Sequence, residues 1–294
     1  METQPLAAPA PFVIGLGRSG TTLLRLMLDA HSHLAIPAET HFIPFLLAEP
    51  PRDGAECVAR LRAMPNWGDF DLSGTGFETR LRALEPFTLA TAVRLFFASY
   101  AARQGKPRWG DKTPPYVEQV AAIGALLPEA HFVHLVRDGR DVALSYRDKW
   151  FGPGADLVAA ARLWRGRILE ARAQATRLEP GRYLELKFED LIAAPERKLR
   201  QVCAFLDLPF EPGMLDYHQR AESRLSELGD RRDTEGRVAV PRAQRLSIHA
   251  NTTRPPDPAQ SGKWRTGLTA AEVALFEREA GDVLTALGYT RAEA

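Results

Sequence analysis

Short apolar runs alternate with longer amphipathic stretches along most of this chain. A run of about five apolar residues between glycines or polar residues is typical of a buried strand, whereas apolar positions three and four apart indicate a helix. Residues 50–80 and 211–262 show little periodicity and are expected to be loop-rich. The pattern predicts strands within 11–16, 33–44, 108–116, 131–138 and 182–191, and helices at 21–31, 88–105, 117–130, 139–150, 157–178, 195–208 and 269–289.

The order of these elements indicates the fold class. Strands that alternate with helices favour a parallel sheet that is covered by helices on both faces. We therefore predict an α/β protein with a single three-layer domain over residues 11–290 and a central parallel sheet. Residues 1–10 are rich in proline and alanine and are expected to form a flexible N-terminus.

Composition and charge remove several classes of function. The chain has a net charge of +1, which gives no case for nucleic-acid binding by bulk charge, so an anionic ligand would have to be bound by local arginine and lysine. Cys57, Cys203 and the histidines have no metal-ligand spacing, which predicts no metal site. The sequence lacks both a secretory signal and an apolar stretch of about 18 residues, so a cytoplasmic protein without a membrane span is expected.

The first candidate site is the sequence GLGRSGTT at residues 15–22, between a predicted strand and a predicted helix. Gly15, four further residues and Gly20 have the spacing of a phosphate-binding P-loop, whose backbone N–H groups converge on an oxyanion. Arg18 adds a planar cation that suits tetrahedral oxyanions. Thr21, however, stands where P-loop NTPases carry a lysine that reaches the β- and γ-phosphates. An ordinary strand-to-helix turn is the alternative interpretation.

The second candidate site is the sequence RDGRDVALS at residues 137–145. Arg137 follows a buried strand at the sheet edge where open α/β proteins bind ligands. Ser145 lies one or two turns into the next predicted helix, so both side chains can face one crevice and hold a second anionic group. The alternative is a set of surface ion pairs beside a helix cap.

These stretches together resemble the sulfotransferases that use 3′-phosphoadenosine 5′-phosphosulfate (PAPS) and release 3′,5′-ADP (PAP). GLGRSGTTLL resembles their 5′-phosphosulfate loop and RDGRDVALS their 3′-phosphate site. KFEDLIAAPERKLRQVCAFLDLPF and SGKWRTGLTAAEVALF resemble later segments of the family. The four motifs occur in the family's order between about residues 11 and 290, and the Glu-Thr pair at 39–40 is similar to the branch of tyrosylprotein sulfotransferases and many bacterial enzymes.

The resemblance implies a P-loop-like phosphosulfate-binding loop in a three-layer α/β domain, and it assigns binding roles. The 5′-phosphosulfate would be held by Gly17, Arg18, Ser19, Gly20, Thr21 and Thr22. The 3′-phosphate would be held by Arg137 and Ser145, with Lys263 and the backbone near Gly262. Phe188 stands where the family commonly has a tyrosine against adenine, and a phenylalanine ring can still stack.

Catalytic roles are also implied by the resemblance. Glu39 aligns with the general base that would take the acceptor's proton, and Lys112 with a lysine that touches the leaving group, while Arg18 would stabilise charge on the sulfonate. A surface or capping residue is the alternative interpretation of Glu39. From sequence alone a solvated loop lysine is the favoured interpretation of Lys112, and the resemblance reverses it. His41 and His249 are reserve candidates for the base. No metal is expected to be required.

The expected function is transfer of a sulfuryl group to the hydroxyl of a phenol or alcohol. The acceptor class stays open among small molecules, glycans, lipids and peptides, and the sequence does not indicate an oligomeric state. An NTP-dependent kinase or NTPase is one alternative, which the missing P-loop lysine disfavours. A nucleotide-binding protein without catalysis is the other, and a working Glu39 distinguishes it from the enzyme.

Overall fold

The computed structural model describes residues 8–233 and 235–292. Most of the segment predicted to be a flexible N-terminus lies outside this range, and Ala10 already begins the first strand. The strands are β1 (Ala10–Ile14), β2 (Leu34–Ala35), β3 (Arg108–Trp109), β4 (Asp111–Lys112), β5 (Ala130–Val136), β6 (Tyr183–Lys187), β7 (Arg231–Arg232) and β8 (Val238–Val240). The helices are α1 (Thr21–Asp29), α2 (Phe42–Ala48), α3 (Gly54–Arg62), α4 (Phe77–Arg82), α5 (Leu89–Arg103), α6 (Val120–Leu126), α7 (Gly139–Tyr146), α8 (Leu157–Ala175), α9 (Phe188–Ala193), α10 (Pro195–Phe205), α11 (His218–Leu225), α12 (Arg242–Ser247), α13 (Trp264–Gly267) and α14 (Ala270–Ala286).

The central sheet has the order β4-β1-β5-β6, and every pairing in it is parallel. Of its middle strands, β1 is fully buried and β5 is buried except at His131, and both are mainly apolar, as is usual for a parallel sheet covered on both faces. The predicted α/β class with a central parallel sheet flanked by helices is therefore confirmed. Two small sheets, β2-β3 and β7-β8, lie outside the central sheet.

Alternate residues of the central strands pack into different cores, because successive strand side chains point to opposite faces. Phe12 and Phe132 join a core with the aromatic residues of α5. Val13 and Leu135 join a core with the apolar faces of α1 and α10. A third core forms where α7, α8 and α14 meet around Trp164. The sheet is thus the middle of three layers.

All four strands of the central sheet end at the same edge, since all run in the same direction. The glycine-rich loop follows β1, Lys112 ends β4, Arg137 follows β5, and Phe188 follows β6. Each strand therefore delivers one part of the predicted site to the edge where open α/β sheets bind ligands.

The segments 33–44 and 108–116, each predicted as a short strand running into a loop, form very short strands, and 108–116 contributes β3 and β4 to different sheets. The strand within 33–44 is limited to Leu34–Ala35, and the chain enters α2 at Phe42. The strand predicted over 182–191 ends at Lys187, because α9 begins at Phe188 and buries Leu191 and Ile192 at helical spacing. An apolar residue at a strand end fits either continuation, so the pattern did not reveal this boundary.

The segment 50–80, expected to be loop-rich, contains the helices α3 and α4. Asp53 caps α3 by accepting a hydrogen bond from the N–H of Glu56 at 2.8 Å, and the buried residues of this helix have helical spacing. The predicted helix 117–130 is split into a 3₁₀ turn at Pro114–Glu118 and α6. Within 211–262, also expected to be loop-rich, α11 and α12 form short helices. Among the helices that the structure describes, none is both long and apolar enough to cross a membrane.

Substitution of Phe12 tests whether the central core stabilises the protein. The Phe12 ring is fully buried and lies 5.7 Å from that of Phe132 between centroids. We expect Phe12→Ala to lower the free energy of unfolding by about 3–5 kcal/mol, because it removes contacts and leaves a cavity. Phe45→Ala is the matched control, since Phe45 is 64% exposed, and it should change the value by less than about 0.5 kcal/mol. Urea unfolding followed by circular dichroism measures both, and equal effects would contradict the assignment of this core.

Candidate active site at the carboxyl edge of the sheet

The glycine-rich loop joins β1 to α1 through left-handed backbone. Arg18 has φ 74° and Gly20 has φ 91°, and Gly20 is the residue that precedes α1. A Cβ atom at position 20 would lie 2.4 Å from Cδ2 of Phe188, so only glycine fits this close approach. The first N–H groups of any helix lack partners within the helix, and those of α1 therefore remain to bind an oxyanion beside the loop.

Two guanidinium groups lie close to each other at this loop. Nε of Arg18 donates to Oγ of Ser145 at 3.0 Å, and Arg137 donates to the Arg18 carbonyl at 3.1 Å. Burial and repulsion from Arg137 lower the pKa of Arg18. Nε of Arg137 is buried and has no hydrogen-bond partner among the described residues. Two like charges with an unused donor favour an anion between them.

The structure thus places the Arg18 side chain beside Ser145, a residue predicted for the 3′-phosphate, although the resemblance assigned Arg18 to the 5′-phosphosulfate. The Arg137 guanidinium also lies 4.7 Å from the centroid of the Phe188 ring. The residues predicted for the two ends of the nucleotide are therefore neighbours in one cluster.

The C-terminal segment is fastened to this region by Asp141. Its carboxylate accepts hydrogen bonds from the N–H groups of Gly262 at 2.7 Å and Trp264 at 2.8 Å. Lys263 is exposed, and its ammonium donates to Oε1 of Gln260 at 2.7 Å. The N–H of Gly262 is thus already paired, and Lys263 is connected to Arg137 only through Gln260, whose carbonyl accepts from Arg137 at 2.6 Å. Neither Gly262 nor Lys263 lines the cavity.

Glu39 and Lys112 form an ion pair at the other side of the loop. Oε1 of Glu39 lies 2.7 Å from Nζ of Lys112, which also donates to Oγ1 of Thr22 at 3.3 Å. The second carboxylate oxygen lies 3.1 Å from Nε2 of His41. Burial acts to raise the pKa of Glu39, but attraction to Lys112 and the hydrogen bonds outweigh it, so this pKa lies well below its usual range. Glu39 is therefore an ionised carboxylate at neutral pH.

The backbone beside Glu39 is held from both sides. Nδ2 of Asn66 donates to the Glu39 carbonyl at 2.6 Å, and the N–H of Thr40 donates to Oγ1 of Thr113 at 2.9 Å. Both groups of the peptide bond between Glu39 and Thr40 are thus bound to side chains. His41, the next residue, has φ 58°, which an L-residue seldom adopts.

The Thr40 hydroxyl is the centre of a buried polar cluster. It donates to Oδ2 of Asp111 at 2.8 Å and lies 2.8 Å from the hydroxyl of Tyr116. Thr113 also donates to Oδ2 of Asp111, at 3.2 Å. Burial raises the pKa of Asp111 to about 7, and Oδ1 has no partner among the residues described. Asp111 thus bonds to threonines and not to its neighbour Lys112.

One cavity of about 570 Å³ connects these groups. The predicted residues that line it are Gly17, Arg18, Gly20, Thr21, Thr22, Glu39, Lys112, Arg137 and Phe188, together with the reserve candidate His249. Ser19 and Ser145 do not line the cavity: Ser19 is buried within the loop, and Ser145 contacts Arg18, which does line it. Burial lowers the pKa of His249 to about 3, aided by repulsion from Lys112, so its imidazole is neutral.

The sequence analysis missed five arginines of the cavity wall: Arg25, Arg167, Arg231, Arg245 and Arg254. Arg25 lies one turn after Thr22 on α1, so helical spacing could have indicated it. Arg231 comes within 3.9 Å of Glu39, and Arg245 donates to the two carboxylate oxygens of Asp69 at 2.9 and 2.5 Å. Arg231 and Arg245 belong to a segment without periodicity, and no local signal marks them.

The arrangement offers two chemical capabilities in one cavity. The loop, Arg18 and Arg137 provide N–H donors and positive charge for anionic groups. The ionised carboxylate of Glu39 can accept a proton, and the neighbouring ammonium of Lys112 can stabilise negative charge. In the part of the chain that the structure describes, no group of three or more His, Cys, Asp or Glu could hold a metal ion.

Relatives of known sequence match about 70% of this chain. The protein-tyrosine sulfotransferase of Drosophila melanogaster is 28% identical over 219 residues, which are 72% of this chain and 40% of that protein. An uncharacterized protein of Aquifex aeolicus is 29% identical over 215 residues, 71% of this chain and 26% of that protein. The chain therefore matches less than half the length of either relative.

Solved structures share the fold. The sulfotransferase domain from the curacin biosynthetic pathway has a TM-score of 0.65 and 21% identity, with 97% of this chain and 99% of that chain covered. The sulfotransferase domain from the Synechococcus PCC 7002 olefin synthase has a TM-score of 0.55 and 25% identity, with 95% and 96% covered. The sequence profile of the sulfotransferase family matches residues 9–212, well over half of the chain. The chain belongs to the sulfotransferase family.

Proposed function

We propose that this protein transfers a sulfuryl group from PAPS to a hydroxyl oxygen of an acceptor. The observation that carries the proposal is the Glu39–Lys112 pair, at 2.7 Å, in the same cavity as the glycine-rich loop. A general base and a cation beside an anion-binding loop are the groups that such a transfer needs. A nucleotide-binding protein without catalysis would have no use for the base, and a kinase would need a partner for the β- and γ-phosphates at Thr21.

The cluster at Arg18 and Arg137 fits a nucleotide with phosphate groups at both ends. The unused Nε of Arg137 and the repulsion between the two guanidinium groups are both relieved by a bound phosphate. The N–H groups at the start of α1 suit the 5′-phosphosulfate, and the Arg18–Ser145–Arg137 cluster suits the 3′-phosphate. Phe188 offers a ring beside both for adenine.

The donor supplies an activated sulfuryl group, and the chain supplies position, charge and a proton acceptor. The bond from sulfur to the acceptor oxygen forms while the bond from sulfur to the phosphate oxygen breaks. Glu39 takes the acceptor's proton, and Lys112 stabilises the negative charge that develops on the leaving phosphate oxygen. Because Lys112 lies between Thr22 and Glu39, its ammonium can exchange one partner for the other without moving far.

The remaining wall of the cavity favours an acceptor with an apolar or aromatic body. Apolar side chains there include Val117, Phe151, Leu225, Leu228 and Ile248. A protein-tyrosine sulfotransferase is among the relatives, so a tyrosine-containing peptide and a simple phenol are the first acceptors to assay with labelled PAPS.

The 3′-phosphate site predicts nucleotide selectivity. PAP should bind at least about tenfold more tightly than 5′-AMP, because each charge-assisted hydrogen bond to the 3′-phosphate is worth about 1.5–3 kcal/mol. Arg137→Ala should remove most of this difference, whereas Arg165→Ala, at an exposed ion pair with Asp282, should preserve it. Isothermal titration calorimetry measures each pair of affinities. Equal affinities of the wild-type protein for PAP and AMP would refute the 3′-phosphate site.

The general base predicts a separation of rate from binding. Glu39→Gln should lower the transfer rate by about 100- to 10,000-fold, because glutamine keeps the shape but cannot take a proton. The affinity for PAP should change by less than about threefold, well below the loss from removing a charge-assisted contact. Glu49→Gln, at an exposed side chain, is the control and should match the wild type in both. A Glu39→Gln rate within about threefold of wild type, far short of that range, would bring His41 and His249 forward as the base.

The charge that opposes the leaving phosphate comes from arginine and lysine in this proposal, so transfer should continue in EDTA. A single turnover with purified protein and labelled PAPS, with and without the chelator, measures this. An absolute requirement for magnesium would favour the kinase alternative, in which a metal bridges the phosphates.

A further inference from the structure

We propose that Thr40, Asp111 and Thr113, with Asn66 and Tyr116, form a positioning cluster that fixes the geometry of the Glu39–Lys112 pair and thereby limits the rate of transfer. This inference rests on the proposed function and adds residues that do not touch the reacting atoms. From the sequence, Thr40 was noted only as part of the Glu-Thr pair at 39–40, and Asp111 only as a neighbour that would orient Lys112.

Strand geometry is the first argument. Lys112 lies between Asp111 and Thr113, and successive side chains of extended backbone point to opposite sides. Lys112 therefore faces Glu39, while Asp111 and Thr113 face Thr40 on the other side. Each member of the reacting pair is thus adjacent in sequence to a member of the buried cluster.

The number of constraints on Glu39 is the second argument. Its carbonyl is bound by Asn66, and the next N–H is bound by Thr113. The Thr40 side chain is held by Asp111 at 2.8 Å and by Tyr116 at 2.8 Å. The carboxylate of Glu39 has little freedom left except at its own side-chain torsions. A general base needs this restriction, because a misplacement of about 1 Å can cost about 100-fold in rate.

Burial is the third argument. Thr40, Asp111 and Thr113 are fully buried, and Tyr116 is 1% exposed. Burying a carboxyl and several hydroxyls is costly in folding free energy unless they are well bonded, and Oδ1 of Asp111 is not bonded within the described chain. His41, which follows Thr40, carries a left-handed backbone that also costs free energy. Costs of this kind concentrate where position matters for chemistry.

The cluster also controls the electrostatics of the base. Glu39 is faced by Lys112, His41 and Arg231, with His249 nearby. Attraction to Lys112 is the main influence that lowers its pKa against the opposing effect of burial. If the Thr40 side chain no longer bonds to Asp111 and Tyr116, the distance from Glu39 to Lys112 increases on average, and the pKa of Glu39 rises. The acid limb of the pH–rate profile then moves to higher pH.

Thr40→Val tests the proposal, because valine keeps the shape and removes the hydroxyl. We expect kcat to fall by about 10- to 100-fold, in line with the cost of misplacing a catalytic group, and the acid limb to move to higher pH. KM for PAPS and the affinity for PAP should stay within about threefold, since no nucleotide contact is changed. Thr40→Ser, which retains the hydroxyl, should restore most of the wild-type kcat and the wild-type acid limb.

Tyr116→Phe is a second variant, which tests the proposal independently if Thr40→Val does not fold. It should lower kcat and move the acid limb in the same direction. Tyr183→Phe is its matched control, because the Tyr183 hydroxyl lies 2.5 Å from Nδ1 of His134, away from the Glu39–Lys112 pair. That control should leave kcat and the acid limb unchanged, even if it lowers the melting temperature as much as Tyr116→Phe does.

A measurement without turnover separates this inference from the proposed function. The carboxyl carbon of Glu39 can be titrated by NMR in ligand-free protein with labelled glutamate, assigned through Glu39→Gln. Thr40→Val and Tyr116→Phe should each raise the pKa of Glu39, whether or not an acceptor has been found. An unchanged Glu39 pKa in both folded variants, or a wild-type kcat in both, would overturn the positioning cluster. Absence of any transfer by wild-type protein would instead count against the proposed function.

Discussion

The parallel pairing of β1 with β4 and β5 is the constraint on which the site depends. In this register Val13 pairs with Lys112 and Ile14 pairs with His134, so the loop after β1 begins beside Lys112 and close to Arg137. A slip of one residue in β4 would turn Lys112 into the cluster around Thr40 and direct Asp111 at Glu39. Two carboxylates would then face each other where a carboxylate and an ammonium now form a pair. Register, and not loop length, keeps the charges complementary.

The parts of the site that could be predicted from the sequence are those encoded locally. Gly20 and Arg137 belong to strand–loop–helix units whose local sequence is enough to predict their structure. The resemblance added Glu39 and Lys112. Arg231 and Asn66 could not be predicted, because each contacts Glu39 across many residues of aperiodic chain. The ion pair between Glu39 and Lys112 depends on the parallel pairing of β2 with β3, which places Ala35 opposite Trp109 and which no spacing along the sequence expresses.

The cavity is rich in arginine although the whole chain carries a net charge of only +1. The structure reconciles these facts by pairing cavity arginines with carboxylates outside the reacting centre. Arg25 pairs with Glu227, Arg245 with Asp69, and Arg137 lies 3.6 Å from Asp141. These carboxylates orient the guanidinium groups and reduce their mutual repulsion. Local charge is concentrated without a large overall field.

The Arg245–Asp69 pair has a consequence for how new acceptor preferences can arise. Asp69 donates its N–H to the carbonyl of Asn66, and Asn66 holds the carbonyl of Glu39. The segment that carries Arg245 and lines the cavity is therefore bound to the same turn that holds the backbone of Glu39, the proposed general base. The segment that would recognise the acceptor and the residues that would carry out the transfer therefore cannot be changed independently of each other. If this segment is replaced so that the protein accepts a different acceptor, the new segment has to keep the Arg245–Asp69 pair. Otherwise the change in selectivity will come with a loss of turnover.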